Sequence, residues 1–295
     1  MTEVAGGGLT DAVTAFEGVR PRLFGIAYRL LGTAADAEDV VQDTWIRWQR
    51  TDRAAVRNPE AFLVTTASRL ALTAATSARA RRELYVGPWL PEPVPTADAT
   101  GEGDLERGEA LELAVLVLLE RLTPQERAVY VLKEAFDYPY RDIAGFLDIT
   151  EDNARQLNHR ARAHVTRERG AHVSPAERDR LLRAFLAAAR AGDLEGLQSL
   201  LAENAVAYAD GGGVVTAARI PVQGRERVAQ YLARTVAIYG QNTTTTVVAA
   251  NGQHVVLVSR DGEPLAACWI EASPEGIDEV CVLVNPAKLA RLAAA

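Results

Sequence analysis

PYRDIAGFLDITEDNARQLNHRARAHVTR, residues 139–167, reads as two helices joined by a sharp turn. Ile143, Ala144 and Leu147 give the first helix an inward face, with a small residue where two helices must approach. Asp148 stands at the turn, and Asp tolerates the left-handed conformation a sharp turn requires. Ile149 plugs the turn. Thr150 is a helix cap, and Glu151 and Asp152 suit the positive end of the second helix. Ala154, Leu157 and Ala161 then face inward. Arg155, Gln156, His159, Arg160 and Arg162 face outward, as groups that meet base edges and phosphates do. A plain helical hairpin with a solvated basic face needs no such agreement of cap, turn and small residue. The spacing predicts a DNA-reading helix-turn-helix.

Upstream, DAEDVVQDTWIRW (36–48) has a different character. Ala37, Val41, Trp45 and Trp48 form an apolar helical stripe. Asp36, Asp39 and Asp43 lie on another side with Glu38 and Gln42, and residues 36–43 hold four acids and no base. An acidic ridge repels DNA and suits a basic protein partner. The chain therefore combines a DNA-binding part with a protein-binding part, as an adaptor does.

Between these, Asn58-Pro59-Glu60 is a helix start with Asn as cap and Pro at the first position. That helix runs to a basic cluster, residues 69–82, where Arg69, Arg79, Arg81 and Arg82 stand without an acid. Loop 51–57 precedes it. Net charge is −7, yet local field governs contact with phosphates. Residues 91–112 alone carry seven acids and one base. They overlap GPWLPEPVPTADATGEGD (87–104), whose four Pro and three Gly mark a linker with a stiff WLPEP core suited to docking. The second helical block contains LELAVLVLLERL and a capping box at Thr123–Glu126.

A third block begins at the Ser174-Pro175-Ala176-Glu177 helix start. Helices are expected at 176–191, 194–202 and 225–239, with a short strand at 205–209. β-rich runs follow, separated by Asn251-Gly252, Asp261-Gly262 and a turn at 273–276. The pattern is α+β, a curved antiparallel sheet with helices on one side. If the turn sets 272 against 277, Cys268 and Cys281 pair directly across the hairpin. Two buried small hydrophobes are the simpler reading of this pair in a reducing compartment. Asp210 fits a turn role. The Gly211–Gly213 run lets another segment come close, and lacks the Lys-Ser/Thr of a phosphate loop. His254 is the block's single histidine, so no convergent acid–base pair, and no catalytic residue, cofactor or metal site, is expected. The N-terminus has neither a basic start nor an apolar stretch, and the chain reads as cytoplasmic, without membrane contact.

The first two blocks resemble the sigma-2 and sigma-4 domains of bacterial extracytoplasmic-function sigma factors. FGIAYRLLGTAADAEDVVQDTWIRW resembles the family's core-polymerase-binding helices, and the 60–82 helix its minus-ten promoter-melting helix, with 51–59 as the specificity loop. PYRDIAGFLDITEDNARQLNHRAR resembles the minus-thirty-five reader. YVGPWLPEP, the DGGG at 210–213, PVQG at 221–224 and NPAKL at 285–289 resemble the sigma-J-like subgroup with a C-terminal SnoaL-like, NTF2-like cone. Val214, Ala287 and Thr73 depart from that pattern.

The resemblance implies a multidomain chain: a sigma-2 bundle (9–87), an acidic Pro/Gly linker (88–110), a sigma-4 helix-turn-helix domain (111–170) and a regulatory SnoaL-like domain (175–295). It implies a non-enzymatic monomer that binds core RNA polymerase, at the β′ coiled coil and the β subunit, and promoter DNA. Polymerase contacts fall to Asp36, Glu38, Asp39, Gln42 and Asp43. DNA contacts fall to Arg53, Arg57, Asn58, Arg69, Arg79, Arg81, Arg82, Arg155, Gln156, His159, Arg160 and Arg162. Regulation falls to Asp210, Gly211, Gly212, Gly213, Asn285, Pro286 and Lys288, with the tail expected to touch the sigma-2 domain. Two other classes fit parts of the chain. A ligand-responsive repressor or activator would bind DNA without polymerase. A SnoaL-type isomerase or cyclase would need a polar cavity and a convertible substrate.

Overall fold

The computed structural model describes residues 5–96, 112–169 and 173–293. The chain divides into two compact units. One holds the helices up to Glu83 and those from Leu113 to Glu168; the other holds Leu84–Thr96 and everything described from Val173 onward. The distal half of the expected linker, 97–110, lies outside the described residues.

The helical unit starts with α1 (Ala5–Glu17), α2 (Arg20–Leu31), α3 (Ala34–Arg50) and α4 (Pro59–Glu83). α2, α3 and α4 pack mutually around Leu23, Ile26, Leu30, Ala37, Leu63, Val64 and Ala67. Gly32, left-handed at φ 71°, ends α2. Thr33 caps α3 by accepting from the Asp36 amide at 3.3 Å, while its hydroxyl donates to the Asp36 carboxylate at 2.5 Å. Asn58 caps α4, its Oδ1 accepting from the Ala61 amide at 3.1 Å. Trp48 is buried and donates its Nε1–H to the Ala12 carbonyl at 3.0 Å, tying α1 to α3. Trp45, expected in the same stripe, is only half-buried against Phe16; Val40 and Thr44 complete the buried face instead.

α5 (Leu113–Leu119) and α6 (Pro124–Tyr130) follow, the latter started by the Thr123–Glu126 capping box and prolonged by a π turn at Val131–Ala135. α7 (Tyr140–Leu147) and α8 (Glu151–Arg169) form the helix-turn-helix. Asp148 adopts φ 56°, ψ 49°, and the Ile149 amide returns to the Ala144 carbonyl at 3.0 Å. Thr150 Oγ1 caps α8 through the Asn153 amide at 3.2 Å. Ala154, Leu157 and Ala161 are buried.

In the second unit α9 (Pro175–Ala191) and α10 (Leu194–Leu200) lead into β1 (Leu201–Asp210) and β2 (Val222–Gln223). α11 (Arg225–Tyr239), β3 (Thr244–Ala250), β4 (Gln253–Arg260), β5 (Glu263–Ser273), β6 (Gly276–Leu283) and α12 (Pro286–Ala293) complete it. The sheet order is β2-β1-β6-β5-β4-β3. All pairs are antiparallel except β1 with β6, a long-range parallel pairing that no local sequence signal announces. Both two-residue turns have paired positive φ angles, 51° and 72° at Asn251-Gly252 and 53° and 85° at Asp261-Gly262. One face of the sheet closes on α9, α10 and α11 through Leu182, Phe185, Leu197, Val228, Val256 and Ile270.

Ala272 does face Ile277, as the turn demands, but a bulge between Glu271 and Ala272 shifts the ladder by one residue. Cys281 therefore faces Trp269, and Cys268 faces Val282. Side chains alternate along a strand, so the two thiols point to opposite faces and do not meet. Both are buried and free. Burial pushes the Cys268 thiol up to about 12, and that of Cys281 well above its ordinary value.

Candidate nucleic-acid interface

The acidic ridge of α3 divides in two. Asp36 closes the Thr33 cap, and Glu38 pairs with Arg20 at 2.8 Å. Both belong to the fold. Asp39, Gln42 and Asp43 stay exposed on consecutive turns of one face. They form an anionic surface without a structural task of its own.

At the other end of α3 the charge reverses. Arg47 and Arg50, in its last turn, join Thr51 and the α4 residues Phe62, Thr65, Thr66 and Arg69 around an open cavity of about 520 Å³. An aromatic ring and hydroxyls set within a rim of arginines suit an unstacked base and its phosphates. Phe62, Thr65, Thr66 and Arg69 share one face of α4 at i, i+3, i+4, i+7. That spacing, next to two arginines in the last turn of α3, was the available signal for Arg47, Arg50 and Phe62, which the basic clusters alone do not reveal. Arg57 and Asn58 are exposed beside the loop, Arg53 less so; the Asn58 amide oxygen is occupied as a cap.

Among the four basic residues of 69–82, Arg81 is exposed. The other three are engaged. Arg69 donates to the carbonyls of Phe146 (2.8 Å) and Gly145 (3.0 Å). Arg79 donates to the Leu122 carbonyl at 3.1 Å, and Arg82 pairs with Glu120 and the Leu31 carbonyl.

α8 turns Arg155, Gln156, His159, Arg160 and Arg162 outward. Arg155 pairs with Glu151 and lies 4.7 Å from the Tyr140 ring centre. Arg160 pairs with Glu126 at 2.9 Å. Burial pushes the Glu126 carboxyl upward, but hydrogen bonds from Thr123 and Arg160 outweigh it and hold the group below its ordinary range.

The second unit gathers a separate polar cluster. Asp210, fully buried at the end of β1, accepts from Tyr85 Oη at 2.6 Å, the Leu90 amide at 3.0 Å, the Gly212 amide at 3.0 Å and Lys288 Nζ at 2.8 Å. Lys288 also donates to the Leu90 carbonyl at 2.6 Å and lies 4.0 Å from the Trp89 ring centre. Asn285 donates to Tyr85 Oη at 3.0 Å. Pro286 opens α12. Further along, Val94 and Asn251 exchange hydrogen bonds at 2.9 and 3.0 Å. Asp210, Asn285 and Lys288, far apart in the chain, thus share one target, the 85–94 segment.

The glycine run explains itself here. A Cβ on Gly212, which sits at φ 65°, would fall 2.4 Å from the Asn285 amide nitrogen. One on Gly211 would fall 2.2 Å from the Val215 carbonyl, and Gly213 sits at φ 72°, where a side chain is strained. Among the described residues no group of His, Cys, Asp and Glu side chains is arranged to hold a metal ion, and no helix is long and apolar enough to cross a membrane.

A single helical unit thus carries an exposed anionic patch on α3, an arginine-rimmed cavity beside it and a helix-turn-helix with an outward basic face, the make-up of a DNA-binding class of protein. Comparison with known sequences gives that class its family. Residues 15–81 match sigma-70 region 2, 112–165 match sigma-70 region 4, and 182–278 match the SnoaL-like domain. The chain is 40% identical over 233 residues to the ECF RNA polymerase sigma factor SigJ of Mycobacterium tuberculosis, covering 77% of this chain and 74% of that one. It is 33% identical over 278 residues to the probable ECF RNA polymerase sigma factor SigI of the same organism, covering 92% of each. The crystal structure of Mycobacterium tuberculosis SigJ superposes with a TM-score of 0.74 at 33% identity, over 94% of this chain and 98% of that one. The chain belongs to the extracytoplasmic-function sigma factors, with a fused SnoaL-like domain. It is an alternative sigma factor for transcription initiation.

Proposed function

We propose that Asp39, Gln42 and Asp43 are the polymerase-docking surface, seated on the basic coiled coil of the core β′ subunit. The observation that carries this is their exposure beside two acids, Asp36 and Glu38, that the fold itself uses. Asp36 and Glu38 then act through the shape of α3. The cavity at Arg47, Arg50, Phe62 and Arg69 takes an unstacked base of the minus-ten element, with Arg53, Arg57 and Arg81 on neighbouring phosphates. α8 reads the minus-thirty-five major groove through Gln156, His159 and the adjacent arginines, and its domain faces the β subunit. The chain works in the cytoplasm as a monomer, without catalysis of its own.

The SnoaL-like unit acts as a regulator by gripping the 85–94 segment through Asp210, Asn285 and Lys288. Its tail completes this role by touching residues 9–87; truncations from Ala295 that left transcription unchanged would remove that contact from the reading.

The test of the docking surface is holoenzyme assembly with Asp39→Arg and Asp43→Arg. Each variant should keep its fold, because the buried residues of α3 are untouched, and lose core binding by tenfold or more. Unaltered core affinity in both variants would reject the assignment.

A further inference from the structure

Asn158 is out of character for its place on α8. It lies among Ala154, Leu157 and Ala161, all buried, and is itself 1% exposed. An apolar side chain would suit that position, whereas Asn is a poor residue for a helix interior and a buried amide must find partners. Asn158 finds two. Its Nδ2 donates to Glu134 Oε1 and to the Tyr140 hydroxyl oxygen, both at 2.9 Å. Both amide hydrogens are thus used, while Oδ1 is buried without a hydrogen-bond partner. An orphaned oxygen offsets much of what the two bonds contribute to stability.

The two acceptors lead outward. Glu134 sits in the π turn Val131–Ala135, and the oxygen that accepts from Asn158 also lies 3.8 Å from Nε of Arg162. Tyr140 opens α7, and its ring centre lies 4.7 Å from the guanidinium of Arg155, which also pairs with Glu151. Arg155 and Arg162 stand three residues before and four after Asn158, and both are exposed on the outward face of α8. A ring under one guanidinium and a carboxylate beside the other restrict two long side chains that otherwise sample many rotamers. The carboxylate itself needs restraint, because swung outward it would repel phosphates. One buried amide stands behind both supports.

We propose that Asn158 is a positioning residue for minus-thirty-five recognition: through Tyr140 it sets Arg155, and through Glu134 it sets Arg162, in the directions from which they meet the duplex. The proposal rests on the reading of α8 as the minus-thirty-five helix. Asn158 touches no DNA. It lowers the ordering cost that the two arginines meet on binding.

The test is binding of the holoenzyme to a promoter duplex, with Asn158→Leu measured alone and in chains that also carry Arg155→Ala, Arg162→Ala or both. Thermal melting of each full chain accompanies it. Asn158→Leu should melt no lower than the unmodified chain, because Leu suits the apolar surroundings and removes the orphaned oxygen, yet should weaken binding by about tenfold. With both arginines replaced, Asn158→Leu should cost nothing further, a coupling between side chains that acts through Tyr140 and Glu134. Undiminished binding by Asn158→Leu would overturn the proposal. So would a loss of equal size with and without the arginines, the mark of a purely structural residue. Should Asn158→Leu fail to fold, the milder Tyr140→Phe decides by the same comparison. Its loss should vanish beside Arg155→Ala and persist beside Arg162→Ala; a loss indifferent to Arg155 would overturn the proposal. If scrambling the minus-thirty-five sequence leaves binding of the unmodified holoenzyme unchanged, the underlying reading of α8 fails instead.

Discussion

Asp210→Asn is the most searching single change in the SnoaL-like unit. It keeps the side chain's shape and removes one charge from a fully buried site. Lys288, 6% exposed, then keeps the Leu90 carbonyl and the Trp89 ring but loses the Asp210 carboxylate. At the 2.8 Å separation and an effective dielectric of about 20, the direct attraction is about 6 kcal/mol. Part of that is offset by desolvation already present in the folded state, and removing one member of a buried pair costs about 3–5 kcal/mol in practice. Against a typical domain stability of about 5–15 kcal/mol, this is a large loss. Urea denaturation should show it, and hydrogen exchange should speed at the Leu90 amide, whose acceptor is the altered carboxylate. Lys288→Met alone should also destabilise, because it leaves the carboxylate buried. The double variant should recover at least about 2 kcal/mol relative to the sum of the singles. Additive effects, or a single substitution costing under about 1 kcal/mol, would refute the claim that a buried ion pair holds the linker.

Other expectations follow from the same geometry. Tyr85→Phe, which removes one donor to Asp210 and one acceptor from Asn285, should cost about 1 kcal/mol and loosen the linker, as read by proteolysis at 84–96. Gln156→Ala should weaken minus-thirty-five binding by about 1–3 kcal/mol and relax preference at one base pair; a uniform loss across promoters would make it a phosphate contact instead. Because the Glu126 carboxyl is held below its ordinary range when folded, its contribution to stability is complete above the unfolded carboxylate pKa. It should vanish as pH falls through the folded value, and Glu126→Gln should flatten that part of the stability–pH profile. Cys268 and Cys281 should resist thiol reagents in the folded chain and fail to form a bridge under peroxide, because they lie buried on opposite sheet faces; a bridged peptide by mass spectrometry would contradict the β5–β6 register.

The elements that local chemistry dictates were readable from the residues alone. Asn58-Pro59, Thr123–Glu126, Asp148-Ile149-Thr150 and the Asn-Gly and Asp-Gly turns each act within a few residues, so their signals are short-range. What escaped depends on long-range pairing. The parallel β1–β6 contact joins strands about seventy residues apart and leaves no periodic trace. The Glu271/Ala272 bulge reverses the facing of every residue beyond it, and so separates two cysteines that a regular hairpin would have paired. At the site, charge clusters pointed to Arg69, Arg79 and Arg82 as basic groups, but not to the backbone carbonyls that hold them. A carbonyl is common to every residue, so its position carries no sequence signal. The linker's grip shows the same limit: the stiffness of WLPEP suggested docking, while its partners, Asp210 and Lys288, lie 120 and 198 residues from Leu90.

The central claim is that this chain brings core RNA polymerase to specific promoters. Reconstitution of run-off transcription with purified core polymerase and a promoter library addresses it directly. The account predicts initiation at a defined minus-ten and minus-thirty-five pair only when the chain is present, abolished by Asp39→Arg with Asp43→Arg and retained in Cys281→Ser. Tight promoter binding by the chain without any complex with core, and no chain-dependent transcript, would contradict it.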